Sequence, residues 1–460
     1  MVEFLCRSPL SRPGYPIGDI GCAARQFADF LFASRQRVWQ MLPLNAVDRS
    51  RFFSPYSPVS SIAGNTMLIC IEDLVSDGLL TREELNSGKR WNKSFIDYDL
   101  AEHAKDRLLR RAFANFNNRK PSFLWDGFIK FTSEERDWLE GFVEFTCQGQ
   151  TPEADFIRWT QFVFYRQMKA LRQYCNERDI LLLGDVPFYV GLNSADVHQY
   201  KNIFSTGIAG VPPDYFNDEG QLWGMPVYNW ESEKEGVYKW WIRRLKKNLE
   251  MYDIVRLDHF RAFCAYWSIA PGSTNGINGE WMKGPGMDFF DALKEELGEP
   301  RLVAEDLGDV DANVYALRDQ LQLPGMKVIQ FGFGADFPSS PHLPHNHNEN
   351  SIAYPGTHDN NTTRGWFERD IGPVEMKNLH LYFQMRVTRR NVSELLTRVA
   401  FASHSRTAIV NMQDVLGLDL RSRTNTPSTE TAENWKWLMK ELPRGKVVEM
   451  LRNLVHAYGR

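Results

Sequence analysis

The sequence is poor in cysteine, has no long apolar run and carries no large excess of either charge. Its 460 residues include six cysteines, and no two of them stand at the Cys-x-x-Cys spacing typical of zinc sites. No apolar run approaches the roughly 18 residues that a membrane helix needs. Lysine and arginine total 54 against 58 acidic residues, so the chain has no excess of positive charge that would favour nucleic acid or anionic lipid. These absences argue against zinc-finger, membrane-spanning and nucleic-acid-binding proteins, and they favour a neutral substrate.

The amino terminus, MVEFLCRSPL, lacks the apolar core of a signal peptide. The scattered cysteines are best interpreted as reduced thiols, because disulfide frameworks belong to oxidising compartments. We therefore expect a cytoplasmic protein. An organellar form whose transit peptide has been removed is the alternative.

What the sequence does contain is a series of short strand-like runs rich in valine, isoleucine and leucine. They begin at Val2, Val38, Ile180, Ile254, Arg301, Lys327, Ser351 and Thr407. Stretches with apolar residues at helical spacing lie between several of them, for example Phe27, Phe30 and Leu31. Strands that alternate with helices predict parallel βα units. The chain is therefore expected to be of the α/β class.

The number of strands favours a closed (β/α)8 TIM barrel over an open, doubly wound sheet. No G-x-G-x-x-G turn follows the first strand, where a dinucleotide-binding sheet would have one. A minimal barrel takes about 250 residues, so the remainder must lie in insertions. We expect one catalytic domain over 1–460, with a largely helical insertion at 45–179 and a substrate-binding loop at 203–230. Because the first strand begins almost at Met1, we expect no additional amino-terminal module.

Acidic residues end four of the predicted strands, and catalytic groups of such barrels lie at the carboxyl ends of the strands. The third run ends in Asp185, the fourth in Asp258, the fifth in Glu305, and the seventh leads to Asp359. A single strand-end acid most often caps a helix or pairs with arginine. Four acids at one barrel mouth favour catalysis instead.

Asp258 and Glu305 end adjacent strands, which lie about 4.8 Å apart in a sheet. This spacing suits a retaining glycosidase, which needs a nucleophile and a proton donor about 5 to 5.5 Å apart. Arg256 alternates with Asp258 on the same face of the strand, so we expect it to hold Asp258 ionised at a low pKa. Glu305 needs a raised pKa to keep its proton. Its neighbour Asp306 should face the other way and have a structural role.

Metal binding is the competing use of such a barrel mouth, since His259 and His358 adjoin acidic residues. No H-x-H or H-E-x-x-H spacing occurs at the strand ends, so we expect no metal site. The histidines of PHLPHNHNEN, between Pro341 and Asn350, are interpreted as part of a solvated loop. The segment from Gly210 to Trp230 is rich in aromatic residues, which suit the apolar faces of sugar rings as well as they suit local packing.

Ordered motifs over nearly the whole chain resemble glycoside hydrolase family 77, the 4-α-glucanotransferases or amylomaltases. They include GYPIGDIG from Gly14, SPYSPVSSIAGN from Ser54, GDVPFYV from Gly184, QLWGMPVYNW from Gln221, RLDHFRAF from Arg256, GEWMKGPG from Gly279, VAEDLG from Val303, GTHDNNTTRGW from Gly356, NTPST and NWKW.

The resemblance implies an α-amylase-type barrel and transfer of α-1,4-glucan segments to the 4-hydroxyl of glucose or maltooligosaccharides, without a cofactor. It also implies a role for each matching position. The expected catalytic residues are Asp258 as nucleophile, Glu305 as acid/base and Asp359 as transition-state stabiliser. Tyr56, Asp185, Arg256 and His358 are expected to hold the glucose at the cleavage point, and Asp214, Gln221 and Trp223 to line neighbouring subsites.

Several positions depart from the family pattern. Met225 replaces the more usual Asn, Leu192-Asn193 replaces a His-Asp type pair, and Asn361 and Arg364 alter the motif around the third acid. We expect these changes to affect acceptor preference and chain length rather than the chemistry. An α-glucan hydrolase and a catalytically silent glucan-binding protein are the rival interpretations.

Overall fold

The computed structural model describes residues 16–85, 93–147, 153–213, 218–308 and 310–460, together with the backbone of Val2–Glu3. These residues contain twelve strands. They are β1 (Val2–Glu3), β2 (Val38–Gln40), β3 (Leu181–Val186), β4 (Phe204–Val211), β5 (Gln221–Tyr228), β6 (Ile254–Leu257), β7 (Ala265–Ile269), β8 (Gly279–Lys283), β9 (Leu302–Ala304), β10 (Gly325–Val328), β11 (Ser351–Tyr354) and β12 (Thr407–Ala408).

All eight predicted strands are present, and they form a (β/α)8 barrel of the α-amylase type. Hydrogen bonds join five of them in the order β1-β2-β3-β6-β9 and three in the order β10-β11-β12, and every one of these pairs is parallel. The amide of Ala304 donates to the carbonyl of Pro324 at 3.0 Å, which links β9 to the segment entering β10. Neighbours in the barrel therefore follow the order of the chain.

The inside of the barrel is filled by one cluster of apolar side chains that is separate from the main core. Its buried members are Val38, Leu183, Val303, Met326, Val328, Ile352, Tyr354 and Ile409. They come from five of the barrel strands and from the residue after β12, so the barrel is a packed core rather than a pore. The hydroxyl of Tyr354 on β11 also donates to Gln40 on β2 at 3.0 Å.

Helices cover the outside of the barrel. They are α1 (Cys22–Ala33), α2 (Ile71–Ser76), α3 (Arg82–Leu85), α4 (Tyr98–Arg119), α5 (Ser122–Glu134), α6 (Arg136–Cys147), α7 (Ala154–Asn176), α8 (Ala195–Gln199), α9 (Lys234–Met251), α10 (Met287–Leu297), α11 (Ala312–Gln320), α12 (Thr363–Gly365), a π-helical turn (Trp366–Asp370), α13 (Pro373–Phe383), α14 (Val392–Ala402), α15 (Met412–Val415) and α16 (Lys446–Tyr458). Short 3-10 helices are Arg49–Arg51, Thr66–Leu68, Lys201–Ile203, Phe260–Phe263, Ile329–Phe333, Pro344–Asn346 and Leu420–Ser422.

The apolar stripes read from the sequence are the buried faces of these helices. Phe27 and Leu31 of α1 are fully buried, as are Trp241 and Leu245 of α9. Burying each such side chain contributes about 1.5–3 kcal/mol. The helices are therefore held against the barrel by the residues that predicted them.

Two long segments are inserted between barrel strands. Residues 45–179 contain α2 to α7. Residues 203–230, expected to be a substrate-binding loop, contain β4 and β5, which pair with β7 and β8 in an antiparallel sheet of order β5-β4-β7-β8. A sheet is more rigid than a loop, so it can hold aromatic side chains in fixed positions.

The interpretation of the histidine tract as a solvated loop holds for His345, which is exposed, and is wrong for His347. His347 is buried, its Nε2 lies 3.0 Å from the carbonyl oxygen of His342, and its Nδ1 lies 2.9 Å from the hydroxyl of Ser405. Burial lowers the pKa of His342 and of His347 to about 4. One side of the tract is therefore packed against the protein.

In the described part of the chain, none of the helices is both long and apolar enough to span a bilayer.

Candidate active site

A cleft of about 550 Å³ lies at the carboxyl ends of the barrel strands and contains three of the four predicted strand-end acids. Its lining includes Tyr56, Gln221, Trp223, Arg256, Asp258, Glu305, His358 and Asp359. A larger groove of about 880 Å³ runs between α1 and α16, but no strand-end acid lines it. Convergent titratable groups identify the smaller cleft as the candidate site.

One carboxylate of the cleft is held by a buried arginine. Arg256 is 3% exposed, and its Nη2 donates to Asp258 Oδ1 at 2.9 Å and to Asp185 Oδ2 at 2.6 Å. Its Nε donates to the second oxygen of Asp185 at 2.9 Å. The hydroxyl of Tyr56 donates to Asp185 at 2.5 Å and accepts from Arg256 at 3.1 Å. As expected from alternation along the chain, Arg256 and Asp258 therefore lie on the same side and contact each other.

The low pKa expected for Asp258 is wrong. Burial raises the pKa of Asp258 well above its ordinary value, and the Arg256 guanidinium opposes this rise without cancelling it. Asp185, Glu305 and Asp359 add to the rise because they bring further negative charge. The site is thus a cluster of carboxyl groups that resist simultaneous ionisation.

Glu305 follows β9 and is fixed through both of its oxygens. The amide of His259 donates to Oε2 at 2.9 Å, and the amide of Leu307 donates to Oε1 at 3.0 Å. His259 has a left-handed backbone with φ of +51°, a conformation that is uncommon outside glycine and frequent at functional sites. Burial raises the pKa of Glu305 to about 7, against the opposing effects of Arg256 and the two amides. The raised pKa required of a proton donor is therefore present.

Asp359 occupies the opposite side of the cleft. Its Oδ2 lies 3.3 Å from Nε2 of His358, and its Oδ1 accepts from the side chain of Asn425 at 2.7 Å. Arg423 donates to the main-chain oxygen of Asp359 at 2.8 Å. The ring of His358 stacks on Tyr56 with 5.1 Å between the ring centroids. The third acid is thereby connected to the Arg256 network.

Aromatic side chains form the wall next to Asp258. Trp223 on β5 packs edge-on against His259 at 4.9 Å between ring centroids, and its Nε1 donates to Gln221 at 3.0 Å. Burial lowers the pKa of His259 to about 3, so this ring is neutral. Asp214, the remaining residue expected at this wall, lies outside the described residues.

The structure separates two neighbouring acids from the cleft surface. Asp185 does not line the cleft, because it is buried beneath Arg256 and Tyr56 and contacts both. Asp306 is buried and accepts from Arg318 at 2.5 Å and from the amide of Met326 at 2.7 Å. The structural role predicted for Asp306 is confirmed.

Sequence reasoning gave no role to several residues that line the cleft. Asn425 and Trp435 come from the long segment after β12, and Trp435 lies 5.5 Å from Tyr56 between ring centroids. Both belong to motifs quoted above, NTPST and NWKW. They do not follow a strand directly, so no strand position pointed to the cleft.

The four departures from the family pattern lie in different environments. Met225 lines the cleft, whereas Asn193 is exposed away from it. Asn361 is buried and donates to Asp370 at 3.1 Å, and Arg364 contacts Glu368 at 3.2 Å. Met225 is therefore the departure best placed to act on a ligand.

A (β/α)8 barrel with three carboxylates in one cleft beside an aromatic wall has the features of the barrel enzymes that cleave or transfer glycosyl groups. The family model for 4-alpha-glucanotransferase matches residues 8–151 and 146–443. The chain belongs to this family, glycoside hydrolase family 77, and is an enzyme of the transferase type.

Relatives and solved structures agree with this membership. The 4-alpha-glucanotransferase of Clostridium butyricum is 36% identical over 98% of this chain and 99% of its own length. The chloroplastic/amyloplastic 4-alpha-glucanotransferase of Solanum tuberosum is 36% identical over 98% of this chain and 85% of its own. The amylomaltase from Streptococcus agalactiae in complex with acarbose superposes with a TM-score of 0.92 at 32% identity, covering 100% of this chain and 99% of that one. The amylomaltase from Corynebacterium glutamicum has a TM-score of 0.81 at 19% identity, a likeness of fold, over 99% of this chain and 74% of that one.

One group of potential metal ligands occurs in the described residues, and it does not line the cleft. It consists of Asp19, Cys70 and Glu72. Burial raises the pKa of Asp19 and of the Cys70 thiol. The positive charge of the buried Lys105 ammonium opposes the rise at Asp19. A cation therefore already faces this group.

Treatment with a chelator is expected to leave the rate of glucan transfer unchanged. The reason is that carboxylates and an arginine supply the charges at the cleft. The measurement is the initial rate of transfer with and without EDTA, followed by gel filtration to remove the chelator. A loss of activity that added Mg²⁺, Ca²⁺ or Zn²⁺ restores would revive the metal interpretation.

Proposed function

We propose that this enzyme transfers α-1,4-glucan segments to the 4-hydroxyl of glucose or a maltooligosaccharide by a retaining double displacement. The observation that carries the proposal is the pairing of Asp258, held by Arg256, with Glu305, which has a pKa of about 7. One carboxylate is suited to attack, and the other is suited to keep a proton.

The division of labour follows from the charges around the two groups. Burial raises the pKa of both carboxyl groups, so the pair retains one proton where isolated carboxyls would have lost both. Asp258 contacts the guanidinium directly, and Glu305 accepts only from neutral amides. Direct contact with an opposite charge favours the ionised form of a carboxyl group, so we assign the negative charge to Asp258 and the proton to Glu305.

In the first step, an oxygen of Asp258 attacks the anomeric carbon and forms a glucosyl ester. The bond from that carbon to the glycosidic oxygen breaks, and the proton of Glu305 moves to this oxygen. The shortened glucan leaves with a free 4-hydroxyl. In the second step, ionised Glu305 takes the proton of an acceptor's 4-hydroxyl, whose oxygen attacks the anomeric carbon and releases Asp258. The configuration is retained because it inverts twice.

The remaining cleft residues support the sugar at the point of cleavage. Asp359 faces the site with both oxygens fixed, as suits a group that stabilises the positively charged sugar of the transition state. Tyr56, Arg256 and His358 are proposed to hold the glucose, with Asp185 acting through Tyr56 and Arg256. Gln221 and Trp223, with Asp214, are proposed to bind neighbouring glucose units.

Incubation with maltotriose alone is expected to give glucose together with longer maltooligosaccharides. Transfer requires an acceptor in the site in place of water, and the aromatic wall beside Asp258 favours a sugar ring there. The measurement is the product profile over time together with the concentration of reducing ends, which transfer conserves. A steady rise in reducing ends would indicate a hydrolase, and an unchanged mixture would indicate binding without turnover.

A further inference from the structure

An ion pair bridges two loops that come from opposite ends of the sequence. Arg51 ends the 3-10 helix Arg49–Arg51, which follows β2, and its Nη1 lies 2.7 Å from Oε1 of Glu430, in the segment after β12. Both side chains line the catalytic cleft. Neither has a part in the chemistry proposed above. The pair therefore joins two walls of the site.

The same guanidinium also meets a third wall. Gly224 on β5 has a left-handed backbone with φ of +67°, and a Cβ atom at this position would lie 3.3 Å from Nη2 of Arg51. The guanidinium thus lies next to the β4–β5 hairpin with one nitrogen and contacts Glu430 with another. No gap wide enough for a pyranose ring remains between Arg51 and either wall.

The two loops that the pair joins also reach the acids. A few residues beyond Arg51, Tyr56 contacts Asp185. A few residues before Glu430, Asn425 contacts Asp359. The pair therefore bridges two loops that each contact an acid at this end of the barrel, and we call it the crossbar.

The crossbar is weak enough to open. The side chains of Arg51 and Glu430 are 31% and 60% exposed, and ion pairs at such exposure are screened by water and salt. Beneath a closed bridge across a cleft, a linear glucan can be threaded from one end. A closed ring has no end, so it can pass such a bridge only when the bridge opens.

We propose that the Arg51–Glu430 crossbar spans the path of the glucan above the acids and thereby makes the enzyme select α-glucans with a free end over closed rings. This inference rests on the proposed function, because it concerns the entry of α-glucan donors. It assigns a role in specificity to two residues outside the catalytic chemistry.

The test compares a ring and a chain of equal size, cyclomaltoheptaose and maltoheptaose, as donors to glucose. The readout is the ratio of kcat/KM for the ring to kcat/KM for the chain. Arg51→Ala and Glu430→Gln should each raise this ratio by about three- to fivefold, the shift that an exposed ion pair can hold. The charge-swapped double variant, Arg51→Glu with Glu430→Arg, should return the ratio to near the wild-type value.

Arg49→Ala is the matched control. Arg49 lies on the same 3-10 helix and also forms exposed ion pairs, with Asp99 at 2.8 Å and Glu102 at 3.0 Å, but these partners are on α4. Its loss should leave the ratio unchanged. An unchanged ratio in both single variants would overturn the crossbar, and so would an equal rise in Arg49→Ala.

Failure of the proposed function would be recognised separately. If wild-type enzyme made no transfer products from maltoheptaose and glucose, the transferase proposal would fall. The crossbar would then be judged by association rate constants for the ring and the chain, measured through tryptophan fluorescence. The same shifts among the variants are expected there, and equal rate ratios in all variants would reject the crossbar.

Discussion

Replacement of Asp258 by asparagine is expected to reduce glucan transfer by at least about 10⁴-fold, the scale seen when a nucleophile is removed. The amide is almost the same size as the carboxylate and can still accept a hydrogen bond from Arg256. It cannot form the glucosyl ester. Arg256 also keeps its two contacts with Asp185, so the floor of the cleft should remain intact.

The measurement is kcat with maltotriose, together with the affinity for maltoheptaose by calorimetry. Glucan affinity should stay within about tenfold of wild type, because the loss concerns bond formation in the transition state rather than ground-state binding. Glu280→Gln, which alters an exposed carboxylate on β8, is the control for a simple loss of charge. Normal formation of glucose and longer chains by Asp258→Asn would show that the nucleophile lies elsewhere.

Replacement of Glu305 by glutamine is expected to slow transfer from maltotriose by about 10²- to 10⁴-fold, the usual contribution of general acid–base catalysis. A glycosidic oxygen leaves poorly without a proton. Fluoride leaves without one, so the first step with α-maltosyl fluoride should be restored. The second step still lacks its base, and the glucosyl enzyme should accumulate.

The measurement is the release of fluoride in the first turnover, compared with the rate on maltotriose. A burst of about one fluoride per enzyme is expected from Glu305→Gln, since the ester is not readily discharged. Equal impairment with both donors would contradict the role of Glu305 as the acid.

The pH dependence of the activity tests the same role of Glu305. Glu305 must be protonated for the first step, so kcat/KM of the wild type should fall as pH rises through its pKa of about 7. Fluoride release by Glu305→Gln should lack this alkaline limb, because no proton is then donated from position 305. Persistence of the limb in the variant would assign the titration to another group.

Much of the fold could be predicted because each barrel strand is short, apolar and followed by polar residues. The prediction was less accurate where the strands end. The sixth run was expected to begin at Lys327, whereas β10 is Gly325–Val328 and the chain then enters a 3-10 helix at Ile329. Apolar periodicity does not distinguish a buried strand from the buried turn that follows it.

The cluster of acids in the cleft could be predicted for the same reason, since residues at parallel strand ends must meet at one face of the barrel. Asp258 and Glu305 obey this rule. Alternation along the strand correctly predicted that Asp306 faces away from the cleft. The raised pKa of Asp258 could not be predicted, because it depends on how deeply the surrounding walls bury the carboxylate. The contact of Asn425 with Asp359 could not be predicted either, because Asn425 lies in a long segment and does not directly follow a strand.

The sequence by itself determined the barrel and the positions of the three acids, because these depend on periodicity and on residue types at strand ends, and its ordered motifs determined the family. The tertiary structure decided which groups surround each acid, that Asp185 lies beneath the cleft rather than on its surface, and that Arg51 meets Glu430 across the cleft. Such contacts join residues hundreds of positions apart. They follow from the packing of the whole chain, which no local pattern encodes.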